Sequence, residues 1–254
     1  MRIVTDIHSH VLPGVDDGSP DFETSLDMLR TAVKSGCQHL VCTPHANHPK
    51  RSKNLPIKDL QQTFQQLCRA IEVDRLPIDL SLGMEVLVTP ACLETFTEHF
   101  LPLNGSRYYL IEFSFEETKG RILDAVRQII KKRVVPVVAH PERYTSVQVD
   151  PGIVYEIYRI GGLTQINQGS VLGHFGSKAQ DTACLLLNFG LTSAVASDAH
   201  DDVIRRCDMQ KCESFIQRNY GSTIMRKLMV ENPNNIIRNR LVDFGGYQPL
   251  PPRK

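Results

Sequence analysis

Asp6, His8 and His10 occupy alternate positions of the stretch TDIHSHVLPGVDDG, directly after the apolar pair Ile3-Val4. Alternate residues of a β-strand project to one face, so His8 and His10 would stand as two imidazoles side by side where the strand runs out. Neutral imidazole binds divalent zinc, manganese or iron, and the nearby Asp16-Asp17 pair offers hard oxygen donors that thiol sites lack. A bare H-x-H also occurs among ordinary core and surface histidines, so the doublet needs further members before it reads as a site.

Those members depend on the elements that would carry them. Short β-branched runs alternate with stretches of helical period along the chain. Strands are predicted at 2–7, 39–43, 78–83, 108–113, 134–139, 163–166 and 192–196. Ser19-Pro20 reads as a cap with proline at the first helical position, followed by Phe22, Leu26, Leu29, Ala32 and Val33 at helical spacing as far as Gly36. Further helices are predicted over 57–73, 91–99, 116–131, 153–160, 177–189, 206–220 and 222–230. Repeated β-α units imply a parallel sheet. About seven of them without a composition break predict a single-domain α/β protein, a TIM-like (β/α)7 barrel, with only the tail 245–254, which ends in the Pro-rich QPLPPRK, loose.

In such a barrel the carboxyl ends of the strands converge on one mouth, where active sites are built. His8 and His10 follow the first predicted strand, His45 the second and Glu85 the third. Glu112 closes the fourth, His140 follows the fifth, Asn167 the sixth, and Asp198 with His200 the seventh. Independent histidines have no reason to favour that end, yet five of the nine fall there. The other four, His39, His48, His99 and His174, read as structural or surface residues, His48 being the exception to test.

Composition excludes several classes. A formal net charge of +1 gives no global field for gathering nucleic acid, although Lys50-Arg51-Lys53 makes a local basic patch. No apolar run approaches the roughly 18 residues that span a membrane, so no membrane insertion is expected. The chain enters a strand at once, which leaves no room for a signal segment and implies a cytoplasmic protein. Seven scattered cysteines without C-x-x-C spacing fit reduced thiols better than disulfides or a zinc ribbon.

The motifs HSHVLPGVDDG, TPH, GMEV, IEF, AHPERY, QINQGS and ASDAH, in that order, resemble the metal-dependent phosphoesterases of the polymerase-and-histidinol-phosphatase (PHP) superfamily. The resemblance is nearest to the capsule-biosynthesis protein-tyrosine phosphatases of the CpsB/CapC type and runs over nearly the whole chain. It implies a barrel of about seven units holding three divalent metal ions, manganese first, with iron or zinc as alternatives. One ion would take His8, His10 and Asp198 and share Glu85 with a second, which would also take Glu112 and His140; a third would take Asp17, His45 and His200. The resemblance further implies that Arg143 and Arg205 bind the phosphate, with Arg206 competing for the latter role. The substrate would be a phosphotyrosine protein, the tail of a bacterial tyrosine kinase controlling polysaccharide export, and the nucleophile a water ionised by the metal ions. A small-molecule phosphatase acting on a compound such as histidinol phosphate, or a metal-stabilised binding module without turnover, are the alternatives.

One rival signal remains. Cys212 to Arg218 satisfies the C-x5-R spacing of cysteine-dependent tyrosine phosphatases, but it contains no glycine for a phosphate-cradling loop and falls in a predicted helix.

Overall fold

The β-branched runs become strands and the amphipathic runs become helices in the computed structural model, which describes residues 4–242 and 246–250. The strands are β1 (Val4–Ser9), β2 (Cys37–Cys42), β3 (His45–Ala46), β4 (Asp79–Leu82), β5 (Glu85–Leu87), β6 (Tyr108–Glu112), β7 (Val135–Ala139), β8 (Leu163–Asn167) and β9 (Ala194–Ala196). They form two sheets, β1-β2-β4 and β3-β5-β6-β7-β8-β9. Every pairing is parallel, so this is an α/β fold. Residues 2 and 3 of the first predicted strand lie outside the described residues.

Beyond the predicted strands 39–43 and 78–83 come short breaks and then two strands that were not predicted, β3 and β5. Pro44 has no N–H to donate, and β2 ends just before it while β3 begins just after. Gly83-Met84 divides β4 from β5. Backbone bonds nonetheless cross the gap, from Gly83 N–H to the Cys42 carbonyl at 2.9 Å and from Glu85 N–H to the Pro44 carbonyl at 3.1 Å. At the opposite edge Ser9 bridges in parallel to Ala199. There Asp198 N–H donates to the His8 carbonyl at 2.9 Å and His10 N–H to the Ala199 carbonyl at 2.8 Å.

The helix Phe22–Lys34 is capped by Asp21 and not by Ser19. The Asp21 carboxylate accepts Thr24 N–H at 2.8 Å, whereas the Ser19 hydroxyl donates to the Asp21 carbonyl at 2.9 Å. The helix Ile57–Val73 matches its prediction. The predicted helix over 91–99 breaks into the turns Pro90–Cys92 and Phe96–His99, and the one over 206–220 begins only at Gln210. Helix Ser222–Arg226 continues through a π-turn, Lys227–Glu231, into an unpredicted helix, Asn232–Ile237.

Two apolar clusters divide the strand faces. On β6, Tyr108 and Leu110 belong to the smaller cluster and Tyr109 and Ile111 to the larger one beneath the helices, which is the period-2 alternation of a strand covered on both sides. Glu112 therefore continues the Tyr108-Leu110 face. Ile236 and Ile237 close the smaller cluster near the start of β6, where Asn104 donates to the Ile237 carbonyl. Each such buried isoleucine contributes roughly 1.5–3 kcal/mol.

Of the tail expected to be loose, Tyr247 packs on Tyr155 and Tyr158 with ring centres 5.7 and 5.4 Å away. Gln248 N–H also donates to the Phe189 carbonyl at 3.0 Å. Aromatic burial holds this part down, while residues 243–245 and 251–254 lie outside the described residues. Among the described residues no helix is long and apolar enough to cross a membrane.

Candidate functional site

The site starts with an irregularity in β1. Register runs from Asp6 opposite Leu40 to Ser9 opposite Cys42, so Ile7 and His8 together face Val41. Such a bulge lets two successive side chains share one side. Ile7 joins Val41 in the smaller cluster and His8 reaches the mouth beside His10, their Nε2 atoms 3.2 Å apart.

Each of these nitrogens lies 3.3 Å from Glu85 Oε2 and 3.4 Å from Asp198 Oδ1. These five separations, 3.2–3.4 Å, are those of four donors around a first-row divalent ion, since a regular tetrahedron with such edges has its centre about 2.0–2.1 Å from each corner. The other ring nitrogens fix the tautomers. His8 Nδ1 donates to Gln165 Oε1 at 2.8 Å and His10 Nδ1 to Asp16 Oδ2 at 2.7 Å, leaving both Nε2 lone pairs directed inward.

Two more groups adjoin the first. His45 Nδ1 lies 3.0 Å from Glu85 and 2.9 Å from Glu112, while its Nε2 turns to Asp17 Oδ1 at 3.4 Å. His200 Nε2 is 3.6 Å from the same Asp17 oxygen. The potential metal-holding groups are thus His8, His10, Glu85 and Asp198; His45, Glu85 and Glu112; and His10, Asp17, His45 and His200. His140 stands outside these three groups, but its Nε2 is 2.8 Å from Glu85 and 3.9 Å from Glu112. All nine residues singled out as metal ligands meet at one end of the strands, with His45 standing between two groups.

Several of their buried atoms have no hydrogen-bond partner: both His45 nitrogens, Glu85 Oε2, Glu112 Oε1, His140 Nδ1 and His200 Nε2. An orphaned polar atom in a buried site costs about 1–3 kcal/mol, and those of His45, Glu85, Glu112 and His200 lie within the metal-holding groups, where a cation would satisfy them. The residues present therefore fit divalent metal ions.

Electrostatics agree. Burial alone would raise the pKa of Glu85, but His8 and His45 hold it well below the carboxylate range. Asp198 is likewise pressed upward by burial and brought well below by His8 and Arg205. His45, which burial would lower, is raised to about 9 by Glu85 and Glu112. His10 is raised well above its ordinary value by Asp16 against the same burial. His200 goes the other way, lowered by burial and by His10.

Two of the candidate ligands are held in left-handed backbone, His140 at φ 35° and Asp198 at φ 49°. Non-glycine residues there cost of order 1–3 kcal/mol and persist where surrounding structure imposes them. Here it does so through His140 N–H to the Gln165 carbonyl and Asp198 N–H to the His8 carbonyl. Gly18 admits no side chain, since a Cβ would come within 2.3 Å of the His10 carbonyl oxygen. The PGVDDG loop can therefore close tightly over His10.

Arginines and phenylalanines alternate around the rim. The Arg143 guanidinium lies 4.6 Å from the Phe115 ring centre and 4.2 Å from that of Phe175. Arg51 faces Phe115 at 5.9 Å and Arg205 faces Phe175 at 5.7 Å. Arg205 also pairs with Asp198 Oδ2, and Arg143 lies 3.5 Å from the same oxygen. Arg206 is exposed, and its carbonyl accepts from Gln168, so between the two neighbours it is Arg205 that turns inward.

The sequence places Asn167 at the mouth but leaves the other supporting residues unmarked. Gln165 sits two before Asn167 on β8, and Asn167 donates to Asp198; that alternation was the available signal. The fully buried Glu142 accepts Asn167 N–H at 3.0 Å and the Ser170 hydroxyl at 2.6 Å. Asp16, read as a further oxygen donor, instead orients His10 and accepts His45 N–H at 2.9 Å. His48 accepts the N–H groups of Lys50 and Arg51, a turn role. Cys212 is buried inside helix Gln210–Tyr220 with its thiol pKa pushed up by burial, which leaves the C-x5-R spacing without chemistry.

A parallel α/β fold whose strand ends gather histidines and carboxylates around common centres defines the class, a metal-binding protein with an arginine-rimmed mouth. Residues 4–238 match the model of the family described as capsular polysaccharide synthesis, CpsB/CapC, and the chain belongs to that family. It is 30% identical to the tyrosine-protein phosphatase YwqE of Bacillus subtilis, over 98% of this chain and 97% of that one. It is 32% identical to the tyrosine-protein phosphatase CpsB of Streptococcus pneumoniae, over 93% of this chain and 99% of that one. The solved structure described as YwqE and CpsB, unique metal-dependent tyrosine phosphatases, superposes with a TM-score of 0.89, covering 99% of both chains at 30% identity. A lactonase, Lmo2620 from Listeria monocytogenes, shares the fold alone, with a TM-score of 0.54 at 10% identity over 92% of this chain and 94% of that one.

Proposed function

We propose that this chain is a cytoplasmic, metal-dependent protein-tyrosine phosphatase of capsular polysaccharide synthesis, acting on the phosphotyrosine tail of a bacterial tyrosine kinase. The carrying observation is the meeting of nine metal-competent side chains at one end of the strands, five of which, His45, Glu85, Glu112, His140 and His200, carry buried nitrogen or oxygen atoms without a hydrogen-bond partner. Names borne by the relatives support the substrate class. The Ser9–Ala199 bridge and the bonds that pass the Pro44 and Gly83 interruptions support a single (β/α)7 barrel in one domain.

His8, His10, Glu85 and Asp198 would hold one ion. Glu85 and Glu112 with His140 or His45, and Asp17 with His45 and His200, would hold two more. A donor set of imidazole and carboxylate without thiolate favours manganese, with iron or zinc as alternatives. When bound, such ions supply an ionised water and Lewis acidity toward the phosphoryl group. Asp16 and Gln165 keep His10 and His8 in the ligating tautomer. Arg143 and Arg205 fork onto phosphate oxygens, relieving Asp198 of its arginine partners. Phe115 and Phe175 flank the aryl ring and keep water from it. Tyrosine leaves as a phenolate of pKa about 10, which needs far less proton assistance than a serine alkoxide.

The test is the purified protein with manganese against phosphotyrosine peptide, phosphoserine peptide and histidinol phosphate. Phosphotyrosine turnover that chelation or His8→Ala abolishes is expected. Arg143→Ala and Arg205→Ala should lower kcat/KM by about one to three powers of ten with bound metal unchanged. Preference for histidinol phosphate, or turnover that survives chelation, overturns the reading.

A further inference from the structure

A groove of about 410 Å³ begins at Arg205 and Phe175, two members of the rim, and runs along the loop 201–206. That loop has a defined conformation. The Asp201 carboxylate accepts the N–H of Val203 at 2.7 Å, that of Ile204, and that of Arg205 at 3.2 Å. His200 N–H closes the turn on the Arg205 carbonyl at 2.9 Å. One consequence is that Arg205 points inward to Asp198. The other is that Val203 and Ile204 stand outward, 74% and 80% exposed.

Exposed aliphatic residues scattered singly are ordinary, but a β-branched pair beside a groove that Leu172 and Phe175 also line is a contiguous apolar surface next to the mouth. Its charge is one-sided. Arg206 and Lys211 line the groove and are exposed, against a single acidic lining residue, Asp208, while the charge of Arg205 is already met by Asp198. The wall is anchored, since the Gln168 side-chain amide donates to the Arg206 carbonyl at 2.8 Å.

Resting on the phosphatase reading, the geometry points to this groove as the docking site for the polypeptide segment adjoining the phosphotyrosine, a segment with an aliphatic side chain beside acidic ones. A phosphate held between Arg143 and Arg205 leaves its polypeptide crossing Phe175 into the groove. An aliphatic side chain there covers Val203 and Ile204, and neighbouring carboxylates meet Arg206 and Lys211. A small aryl phosphate ends at the mouth and does not reach the groove.

Manganese-loaded full-length protein separates these cases. Its substrates are two phosphotyrosine peptides, one flanked by Leu and Glu and one by Ser and Lys, with p-nitrophenyl phosphate as the small control. The Leu/Glu peptide should have the lower KM. The R206E/K211E variant should raise that KM about tenfold with kcat and p-nitrophenyl phosphate kinetics held, in line with losing and reversing two rim charges. The V203S/I204S variant should raise it several-fold in the same selective way. Equal KM for the two peptides in the unaltered protein overturns the proposal, as does a parallel loss on p-nitrophenyl phosphate in both variants. So does a shift of V203S/I204S to a smaller sedimenting species, since Val203 and Ile204 would then bury against a second copy. If the unaltered protein does not turn over p-nitrophenyl phosphate, the phosphatase reading has failed. Direct titration with the two peptides then decides the groove, and equal affinities overturn it.

Discussion

Replacing Asp16 by asparagine should weaken metal binding without removing any ligand. Asp16 Oδ2 receives His10 Nδ1–H at 2.7 Å and His45 N–H at 2.9 Å, while Oδ1 receives Gly18 N–H at 3.0 Å. All three partners are donors, so the amide nitrogen of asparagine must confront one of them wherever it points. With the nitrogen toward Gly18, the His10 bond survives but loses its charge assistance, falling from about 1.5–3 to about 0.5–1.5 kcal/mol. The His10 tautomer and the basicity of its Nε2 depend on that bond. A loss of such a supporting carboxylate costs 10–100-fold in metal affinity, or about 1.4–2.7 kcal/mol, which agrees with the bond arithmetic. Chelator-treated Asp16→Asn titrated with manganese should therefore need about 10–100-fold more metal for half-maximal p-nitrophenyl phosphate turnover, read beside metal bound per chain. Turnover at saturating metal should be largely retained. Asp21→Ala is the control, because it removes the cap of helix Phe22–Lys34 and should lower the melting temperature without changing metal demand. An Asp16→Asn protein that melts earlier yet half-saturates at the same metal concentration would show that Asp16 only fastens the loop and does not tune His10 for metal.

Proton linkage gives another expectation. In chelator-treated protein His45 is raised to about 9 and His8 and His10 are raised as well, so the stability they contribute is full below the unfolded value of 6.5 and lost as pH rises through about 9. Glu85 and Asp198, both depressed, contribute stability that is present above about pH 4 and lost as pH falls, and His200 adds a loss only below about 6.5. The melting temperature of that sample should thus decline between pH 6.5 and 9, whereas metal-loaded protein should not, because the ions displace those protons; a rise in the chelated sample would count against the site. Cys212→Ser should leave phosphatase turnover nearly intact, since the thiol is fully buried in a helix; loss of turnover with metal content preserved would reopen the cysteine mechanism. Phe115→Leu and Phe175→Leu should raise KM for phosphotyrosine peptide several-fold while an alkyl phosphate is unaffected, as expected if the rings flank the aryl group; equal losses on both substrates would mean that the rings act only by holding Arg143.

Much of the site was legible because its residues lie close to strand ends, and strand ends follow from β-branched runs and from breaks at proline and glycine. His8, His10, Glu112, His140 and Asp198 could be placed that way, as could the parallel α/β class. Local chemistry also settled the helix Ile57–Val73 and the irrelevance of Cys212. Other features depend on groups distant in the chain. The inward turn of His8 needs the bulge against β2, the tautomers need Gln165 and Asp16, and the choice of Arg205 over Arg206 needs Asp198 and the Asp201 turn. The cap at Asp21 was missed because Ser19-Pro20 carries a capping signature of its own, although the Ser19 hydroxyl turns to the Asp21 carbonyl. Periodicity reports which face of an element is apolar, and residue types report which groups can bind a metal. Hydrogen-bond partners and the sharing of His45 between two groups arise only when strands separate in sequence come within 3–4 Å, and that distance is a property of the packed chain alone.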